Sequence, residues 1–393
     1  MKKTNRILNI PKYLFARIDK KKAQAIAKGA DIIDLSIGDP DLPTPKYIID
    51  AMKKALDNPA NHNYPPYEGT YEFRKAVSAW YKKRFDVDLD PETEAMSLIG
   101  SKEGIAHILF ALLDPGDISL IPDPSYPVYK MCTLLAQGVP HFLPLVKENN
   151  FMPDLASIPK DIAKKAKLMF INYPNNPTSA VATPEFLKDA VKFCKNNNVV
   201  LCSDLAYSEV TFGGYEAHSI LEIPGAKDVA VEFHSLSKTF NMTGWRIGMA
   251  VGNKEIMRAL AVVKTNIDSG AFKAIQQAAV EALNGTTDFT RKTNLMYENR
   301  MKTLVDGLNS LGWKLGYTKA TFYVWAPVPS GYTDEQFCAE LLEKCAVLVV
   351  SGSGYGKAGK GYARFCITAD ESRIQEAVQR MKDKAVRFSP QRL

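Results

Sequence analysis

Short apolar runs alternate with helix-length segments through the middle of the chain, and this alternation restricts the fold more than any other feature of the sequence. The runs are rich in aliphatic side chains, which is typical of strands buried on both faces of a sheet. Strands separated by helical segments predict an α/β fold with a mostly parallel sheet, because parallel strands need crossover connections. The predicted strands of this region are 96–99, 118–121, 168–171, 199–203, 229–233 and 247–251.

Beyond residue 320 the pattern changes to shorter elements in a different order. Strands are predicted at 322–325, 347–350 and 362–366, and helices at 333–345 and 372–382. This mixture indicates a second, smaller α+β unit. The 393 residues of the chain are also too many for one small hydrophobic core, so the length agrees with two domains.

The composition argues against several classes of protein. With 46% hydrophobic residues and a net charge of +7 that is not concentrated in a basic tract, the chain is an ordinary globular one and nucleic-acid binding is not expected. The six cysteines form no C-x-x-C pair and the five histidines are scattered, so no metal site is expected. No segment resembles a signal peptide, and no apolar run reaches the ~20 residues of a membrane span. We therefore expect a cytoplasmic protein that binds no membrane.

One lysine lies between small hydroxyl residues shortly after a predicted strand. The segment 235–246 contains Ser235, Ser237 and Lys238, and it ends with Arg246. A lysine amine can form a covalent imine with an aldehyde cofactor, while hydroxyl groups and a guanidinium bind the cofactor's phosphate. Pyridoxal phosphate is the cofactor that needs such a lysine. The pattern is short, however, and serines near a lysine also occur by chance in surface loops.

Other polar residues end predicted strands or begin predicted helices, where ligands bind in parallel α/β sheets. Asp204 ends an apolar strand, where it can pair with a cation or cap a loop. Ser101 begins a helix after a small-residue turn, and it can cap that helix or bind a phosphate. Tyr126 can stack on a planar ring or lie half-buried at the surface. Arg364 interrupts an apolar strand and requires a carboxylate, which can belong to a salt bridge or to a substrate.

These motifs occur in one order between about residue 13 and residue 381, and together they resemble the class I and II aminotransferases of the fold-type I pyridoxal-phosphate enzymes. The resemblance implies an α/β fold whose large domain (46–285) has a mostly parallel seven-stranded sheet flanked by helices. The smaller α+β domain would consist of 1–45 and 286–393. It further implies pyridoxal 5′-phosphate as the cofactor, amino-acid and 2-oxo-acid substrates, and a homodimer with shared active sites.

The resemblance also assigns a role to each matching position. It implies that Lys238 forms the covalent bond to the cofactor, that Asp204 pairs with the pyridine nitrogen, and that Tyr207 is the third catalytic residue. The implied cofactor-binding positions are Ser101, Lys102, Tyr126, Asn176, Asp204, Tyr207, Ser235, Ser237, Lys238 and Arg246, with Tyr64 from the other subunit. The implied substrate-binding positions are Gly38, Tyr13, Lys102, Tyr126, Asn176, Ser269 and Arg364. Among these, Arg364 is expected to hold the α-carboxylate.

Three segments, 11–15, 36–43 and 355–364, are most similar to the LL-diaminopimelate aminotransferases within this family. Two positions depart from the family pattern. Ser179 stands where glycine is frequent, and Ser269 stands where the diaminopimelate enzymes have an asparagine that touches the substrate. LL-2,6-Diaminopimelate with 2-oxoglutarate is therefore the expected substrate pair, and aspartate, alanine and aromatic amino acids remain alternative donors.

Two other functions share parts of this pattern. A carbon–sulfur β-lyase has the same fold and cofactor but releases pyruvate and ammonia. A non-catalytic ligand-sensing module is fused to a DNA-binding region in some bacterial regulators. We expect no room for such a region here, because the resemblance already begins near residue 13.

Overall fold

The computed structural model describes residues 2–11 and 14–388. In chain order the strands are β1 (Ile33–Asp34), β2 (Ala95–Leu98), β3 (Ile118–Asp123), β4 (Val139–Pro144), β5 (Ala166–Ile171), β6 (Val200–Asp204), β7 (Ala230–Ser235), β8 (Gly248–Gly252), β9 (Tyr323–Pro327), β10 (Val347–Leu348), β11 (Val350–Ser351) and β12 (Tyr362–Cys366). The helices are α1 (Asn5–Leu8), α2 (Leu14–Ala27), α3 (Lys46–Leu56), α4 (Tyr71–Phe85), α5 (Ser101–Leu112), α6 (Val128–Leu135), α7 (Lys160–Lys165), α8 (Pro184–Asn197), α9 (Leu236–Thr239), α10 (Lys254–Ile267), α11 (Lys273–Asn284), α12 (Asp288–Ser310), α13 (Asp334–Cys345) and α14 (Glu371–Asp383). Among the described residues, none of these helices combines the length and apolar character that a membrane span requires.

Seven strands form the central sheet, in the order β2-β8-β7-β6-β5-β3-β4. The strands from β7 to β4 in this order run parallel to one another, whereas β8 is antiparallel to both of its neighbours. The predicted mostly parallel seven-stranded sheet is therefore confirmed. Strands β3, β7 and β8 are buried along their whole length, which agrees with the apolar runs predicted at 118–121, 229–233 and 247–251.

Helices cover both faces of this sheet. Met249 and Ala250 are consecutive in β8, and they belong to two different hydrophobic clusters. Met249 shares its cluster with residues of α4, α8 and α11, and Ala250 shares its cluster with residues of α5, α6 and α10. Since successive residues of a strand point to opposite faces, the large sheet is the middle layer of a three-layer α/β arrangement.

Side-chain caps fix the start of two helices on the first of these faces. Thr70 accepts a hydrogen bond from the backbone N–H of Phe73 at the start of α4. Thr183 accepts one from Phe186 at the start of α8, where Pro184 occupies the first helical position. Both caps satisfy amides that have no partner inside the helix, and a proline directly after a capping threonine is a favourable helix start.

A second hydrophobic core surrounds a three-stranded antiparallel sheet in the order β11-β12-β9. Buried side chains of α12, α13 and α14 belong to this core, including Met301, Phe337 and Met381. The N-terminal strand β1 pairs in parallel with β10, which places Ile33 beside Val347. The predicted α+β unit is present, while its predicted boundaries near residues 45 and 285 remain predictions.

The carboxyl ends of β5, β6 and β7 lie along one edge of the large sheet, because these three strands are parallel neighbours. The segments that follow these strands carry Asn176, Tyr207 and Lys238, respectively. Ligands bind at this edge in α/β sheets, so the topology places these predicted site residues where a ligand is expected.

Candidate active site

A cavity of about 280 Å³ lies at this edge of the large sheet and is lined by residues from both units. The predicted site residues that line it are Gly38, Ser101, Lys102, Tyr126, Asn176, Asp204, Tyr207, Ser235, Ser237, Lys238, Arg246 and Arg364. Five further lining residues had no predicted role: Ile37, Asn172, Ala206, Thr243 and Tyr323. Most of the predicted positions therefore converge on one space, although they are spread over more than three hundred residues of sequence.

Lys238 lies on α9, which begins directly after β7. Its Nζ donates a hydrogen bond to the backbone carbonyl of Gly38 at 2.8 Å. Burial lowers the pKa of the Lys238 ammonium to about 8, and the nearby carboxylate of Asp39 opposes this shift. The neutral amine is therefore accessible slightly above neutral pH, which is what a nucleophilic amine requires.

Asp204 is the last residue of β6 and is buried. Its Oδ2 accepts a hydrogen bond of 2.6 Å from the hydroxyl of Tyr129. Its Oδ1 is also buried and has no side-chain donor among the residues that the structure describes. Burial raises the pKa of the Asp204 carboxyl to about 6, and the hydrogen bonds from the Tyr129 hydroxyl and the Ala206 backbone oppose the rise. Tyr129 therefore holds one oxygen, and the other can still accept a hydrogen bond from a cationic donor.

One corner of the cavity is rich in hydrogen-bond donors. Ser101 begins α5, so the first amides of that helix and the positive end of its dipole face this corner. Ser235 caps α9 by accepting a hydrogen bond from the backbone N–H of Ser237 at 3.2 Å. The guanidinium of Arg246 donates to the carbonyl of Thr243 at 2.8 Å. Amides, hydroxyls and a guanidinium are together the donors that bind a phosphate group.

Two glycines allow the elements of this corner to approach each other. A Cβ on Gly100 would lie 2.4 Å from a guanidinium nitrogen of Arg246, and the φ of Gly100 is +94°. A Cβ on Gly248 of β8 would lie 3.0 Å from the backbone nitrogen of Ser101. A larger residue at position 100 would therefore displace Arg246 and strain the backbone at the same time.

Arg364 of β12 is 1% exposed, and its guanidinium donates hydrogen bonds to two neutral groups. One nitrogen donates to the side-chain oxygen of Asn176 at 2.8 Å, and another donates to the carbonyl of Ser36 at 2.6 Å. The guanidinium carbon lies 4.1 Å from the ring centroid of Tyr323 and 4.9 Å from that of Tyr355. This arrangement fixes the planar fork at the cavity wall, where it can form a bidentate pair with a carboxylate.

Comparison with known proteins assigns the chain to a family. The family model described as "Aminotransferase class I and II" matches residues 30–381. The LL-diaminopimelate aminotransferase of Aquifex aeolicus is 54% identical over 380 residues, which are 97% of this chain and 98% of that protein. LL-Diaminopimelate aminotransferase 2 of Trichormus variabilis is 52% identical over 390 residues, which are 99% of this chain and all of that protein.

The chain belongs to the class I and II aminotransferases. Solved structures agree with this assignment. A substrate-bound BacF structure from Bacillus subtilis has a TM-score of 0.96 at 36% identity and covers all of both chains. A mutant aspartate aminotransferase from Thermus thermophilus has a TM-score of 0.91 at 27% identity and covers 98% of this chain and 99% of that one. The predicted fold class and the predicted enzyme class are confirmed.

The aminotransferases of this family use pyridoxal 5′-phosphate, and the cavity fits its three reactive parts. Lys238 offers an amine with a lowered pKa for the aldehyde. The open Oδ1 of Asp204 offers an acceptor for the protonated pyridine nitrogen. The corner formed by Ser101, Ser235 and Arg246 offers donors for the phosphate. The donor set of this cavity is therefore complementary to the whole cofactor.

Two of the predicted site residues that the structure describes do not line this cavity. Tyr64 is 83% exposed, and Ser269 is exposed as well. The two lie in neighbouring loops, because a Cβ on Gly270 would lie 3.3 Å from the side chain of Pro65. Tyr13 falls outside the described residues.

Two residues that the sequence did not assign hold the strand ends together. The side chain of Asn172 donates to the carbonyl of Asp204 at 2.7 Å and accepts from the backbone N–H of Asn176 at 2.8 Å. Asn172 directly follows a buried strand, so the rule that selected Asp204 would also have selected it. Tyr129 lies on α6 and carried no comparable signal, because a tyrosine in an amphipathic helix is typical of a core.

The departure at Ser179 has a structural explanation. Ser179 has a φ of +62°, which lies in the left-handed region that favours glycine. The serine adopts this conformation here, and its buried hydroxyl donates to the carbonyl of Tyr323 at 2.6 Å. The substitution therefore exchanges backbone freedom for a contact with the cavity wall.

Proposed function

We propose that this aminotransferase transfers an amino group between LL-2,6-diaminopimelate and 2-oxoglutarate in a ping-pong reaction. The names of the Aquifex and Trichormus relatives, at 54% and 52% identity over nearly the whole chain, support this substrate pair. The observation that carries the reaction class is the joint placement of Lys238, Asp204 and Arg364 in one cavity. The chemistry needs three groups: a nucleophilic amine, an acceptor for a ring nitrogen, and a guanidinium that binds a carboxylate.

When bound, pyridoxal phosphate supplies an aldehyde that accepts an amine and a pyridine ring that delocalises an electron pair. Lys238 would hold the cofactor covalently before substrate binds. Because burial brings the pKa of Lys238 to about 8, its amine can both accept and return a proton near neutral pH. We infer that the freed amine of Lys238 moves the proton of the substrate α-carbon.

Asp204 would keep the pyridine nitrogen protonated. Its carboxylate is oriented by Tyr129, so the open Oδ1 needs no rearrangement to accept the ring N–H. A cationic partner lowers the pKa of a buried carboxyl, and the ring would therefore hold Asp204 in its ionised form. Such preorganised charge stabilises the electron-rich ring at no further reorganisation cost.

Arg364 would bind the substrate α-carboxylate, with help from the side chain of Asn176 and the backbone of Gly38. The contacts of Arg364 with Asn176 and Ser36 fix the direction of the guanidinium. Tyr126 would stack on the cofactor ring, and Tyr207 would donate a hydrogen bond to the ring oxygen. The roles of Tyr13 and Lys102 near the distal end of the substrate stay predictions.

The phosphate would be held by the donors at one corner of the cavity, namely Ser101, Lys102, Ser235, Ser237 and Arg246.

We further propose a homodimer in which the partner of each chain contributes Tyr64. The exposed position of Tyr64 and its neighbourhood to the exposed Ser269 support this arrangement, since both side chains are free to reach another copy. The cytoplasmic location also stays a prediction.

A panel of amino donors tests the substrate assignment. Each donor is mixed with the cofactor-loaded protein, and the loss of the cofactor's absorbance in the half-reaction is followed. We expect LL-2,6-diaminopimelate to give the highest kcat/KM, and regeneration by 2-oxoglutarate to complete the cycle. A higher kcat/KM with aspartate, alanine or an aromatic amino acid would overturn the substrate, and pyruvate and ammonia from cystathionine without amino transfer would overturn the reaction.

A further inference from the structure

We propose that Tyr323 is a positioning residue that donates its hydroxyl hydrogen to Tyr207 and supports the guanidinium of Arg364 with its ring. The inference rests on the proposed roles of Tyr207 and Arg364 and adds a residue that connects them. Tyr323 begins β9, is 3% exposed and lines the cavity.

The side chain of Tyr323 touches both groups at once. Its hydroxyl oxygen lies 2.6 Å from that of Tyr207. Its ring centroid lies 4.1 Å from the guanidinium carbon of Arg364, which is within the range of a cation–π contact. Gly38 leaves the space for this ring, because a Cβ there would lie 2.3 Å from the Tyr323 hydroxyl. A side chain at position 38 would therefore displace Tyr323 from both partners.

The backbone of Tyr323 is held by a closed ring of hydrogen bonds. Its N–H donates to the hydroxyl oxygen of Thr321 at 3.1 Å, and its carbonyl accepts from Ser179 at 2.6 Å. The hydroxyl oxygens of Ser179 and Thr321 lie 2.6 Å apart. Because Ser179 donates its one hydroxyl hydrogen to the carbonyl, Thr321 is the donor in this second hydrogen bond. Both hydroxyl residues have positive φ, at +62° and +72°. Residues other than glycine rarely adopt this conformation, so two unfavourable backbone conformations accompany the hydrogen bonds that fix Tyr323.

The direction of the hydroxyl pair follows from the charge of the bound cofactor. Tyr207 has one hydroxyl hydrogen, and the ring oxygen of the cofactor is an acceptor. If Tyr207 donated to Tyr323, its lone pairs would face that anionic oxygen and repel it. If Tyr323 donates, the hydrogen of Tyr207 remains for the cofactor, and the shared hydrogen bond strengthens Tyr207 as a donor.

The ionisable groups around Tyr323 are compatible with this direction. Burial raises the pKa of Tyr323 to about 12, and the charge of Arg364 opposes this rise. Tyr207 is also buried, and burial raises its pKa well above the ordinary value. Cys366 and Asp39 also act on Tyr323, and both raise its pKa. Both tyrosines therefore keep their hydrogens throughout the pH range in which the cofactor linkage titrates.

The test measures the protonation of the nitrogen that joins the bound cofactor to Lys238, read from the cofactor's absorbance between pH 5 and pH 10 without any turnover. A donor to the ring oxygen lowers the pKa of that nitrogen. Tyr323→Phe keeps the ring and removes only the hydroxyl, so we expect the midpoint to rise by about half a pH unit. The apparent Kd of 2-oxoglutarate for the amino form of the cofactor-loaded enzyme is expected to stay within about twofold, because the ring still supports Arg364.

A second variant separates the ring from the hydroxyl. Tyr323→Leu removes both, so we expect the same midpoint shift and an increase in the Kd of 2-oxoglutarate by about fivefold. Tyr355→Phe is the matched control, since it removes a hydroxyl from the other tyrosine whose ring lies over Arg364. We expect that control to leave the midpoint unchanged.

The outcomes distinguish this inference from the proposed function. If the wild type titrates and Tyr323→Phe has the same midpoint as the wild type, the role of Tyr323 is overturned while the proposed function stands. An equal midpoint shift in Tyr355→Phe would also overturn it, because the effect would then be unspecific. If the wild type itself formed no pH-dependent cofactor band, the proposed function would fail and the role of Tyr323 with it.

Discussion

Two buried carboxyl groups on neighbouring strands have opposite surroundings. Glu232 of β7 is fully buried and accepts four hydrogen bonds, from Tyr81, Ser203, Ser219 and the backbone N–H of Ile220. A carboxylate has about four lone-pair positions, so those of Glu232 are filled.

Asp204 is buried to a similar degree and lines the cavity, yet one of its oxygens has no side-chain donor among the described residues. Burial raises the pKa of both carboxyls, to about 6 for Asp204 and about 7 for Glu232. A raised pKa therefore does not identify a site by itself, whereas an unfilled acceptor at a cavity does.

A fully buried lysine and a half-buried one repeat the contrast. Lys264 is fully buried with its ammonium 2.9 Å from Asp268 and 3.5 Å from Glu103. Glu103, His107 and Asp268 are close enough to hold a metal ion, but the ammonium of Lys264 already supplies a positive charge to this group. Lys238 instead donates to the neutral carbonyl of Gly38. The paired lysine belongs to the packed interior, and the lysine with the lowered pKa belongs to the cavity.

The largest expected effect separates the two lysines by activity. Lys238→Ala removes the amine that moves the proton, so we expect turnover to fall by at least about 10³-fold while the cofactor still binds. Steady-state transamination and the absorbance of the bound cofactor measure the two quantities. The free energy of unfolding of the apo-protein is expected to stay within about 1 kcal/mol of wild type. Multiple turnovers at the wild-type rate would remove Lys238 from the mechanism.

The next effect separates the two carboxyls. Asp204→Asn keeps the shape but loses the charge that holds the ring nitrogen protonated, so we expect kcat to fall by between about 10² and 10³-fold. Glu232→Gln is the matched variant on the neighbouring strand, and its kcat is expected to stay within about twofold of wild type. Equal losses of kcat in the two variants would abolish the distinction between a filled and an open acceptor.

The free energy of unfolding is expected to depend on Lys264 more than on Lys238, the reverse of the expectation for activity. Lys264→Met leaves the carboxylates of Glu103 and Asp268 without their ammonium, and we expect the protein to lose about 3 kcal/mol of unfolding free energy. Urea unfolding of the apo-protein at pH 7.5 measures this loss. A Lys264→Met variant as stable as wild type would show that the buried ion pair contributes nothing beyond its desolvation cost.

The smallest effect concerns the pH dependence of stability. The folded pKa of Glu232 is raised above its unfolded value, so its contribution is fully present below about pH 4.5 and is lost as pH rises towards 7. We expect wild type to lose about 2 kcal/mol relative to Glu232→Gln between pH 5 and pH 7. The glutamine can keep its carbonyl towards Ile220 and turn its amide towards Ser219, whose hydroxyl can also accept. Parallel stability curves for the two proteins would contradict the raised pKa.

The sequence by itself determined the layout of the fold and most of the cavity. Apolar runs separated by helices admit few arrangements other than a mostly parallel sheet, because crossovers return each strand in the same direction. Parallel strands end at the same edge, so Asn176, Asp204 and Lys238 had to meet once their strands were placed. The sequence also selected Arg364, to which the aminotransferase resemblance gave a role, and β12 brings this residue to the same edge from the second unit.

Only the tertiary structure decided which partner each buried polar group has. Tyr129 meets Asp204 across 75 positions of sequence, and Tyr207 meets Tyr323 across 116. In the sequence Tyr129 and Tyr323 are ordinary core aromatics, because local periodicity records which face is buried and not which group lies opposite. The sequence likewise did not show the hydrogen-bond partners of Glu232, since a single acid within an apolar strand does not reveal whether its lone pairs are filled. Those contacts depend on side-chain packing between distant segments, and packing exists only after the whole chain has folded.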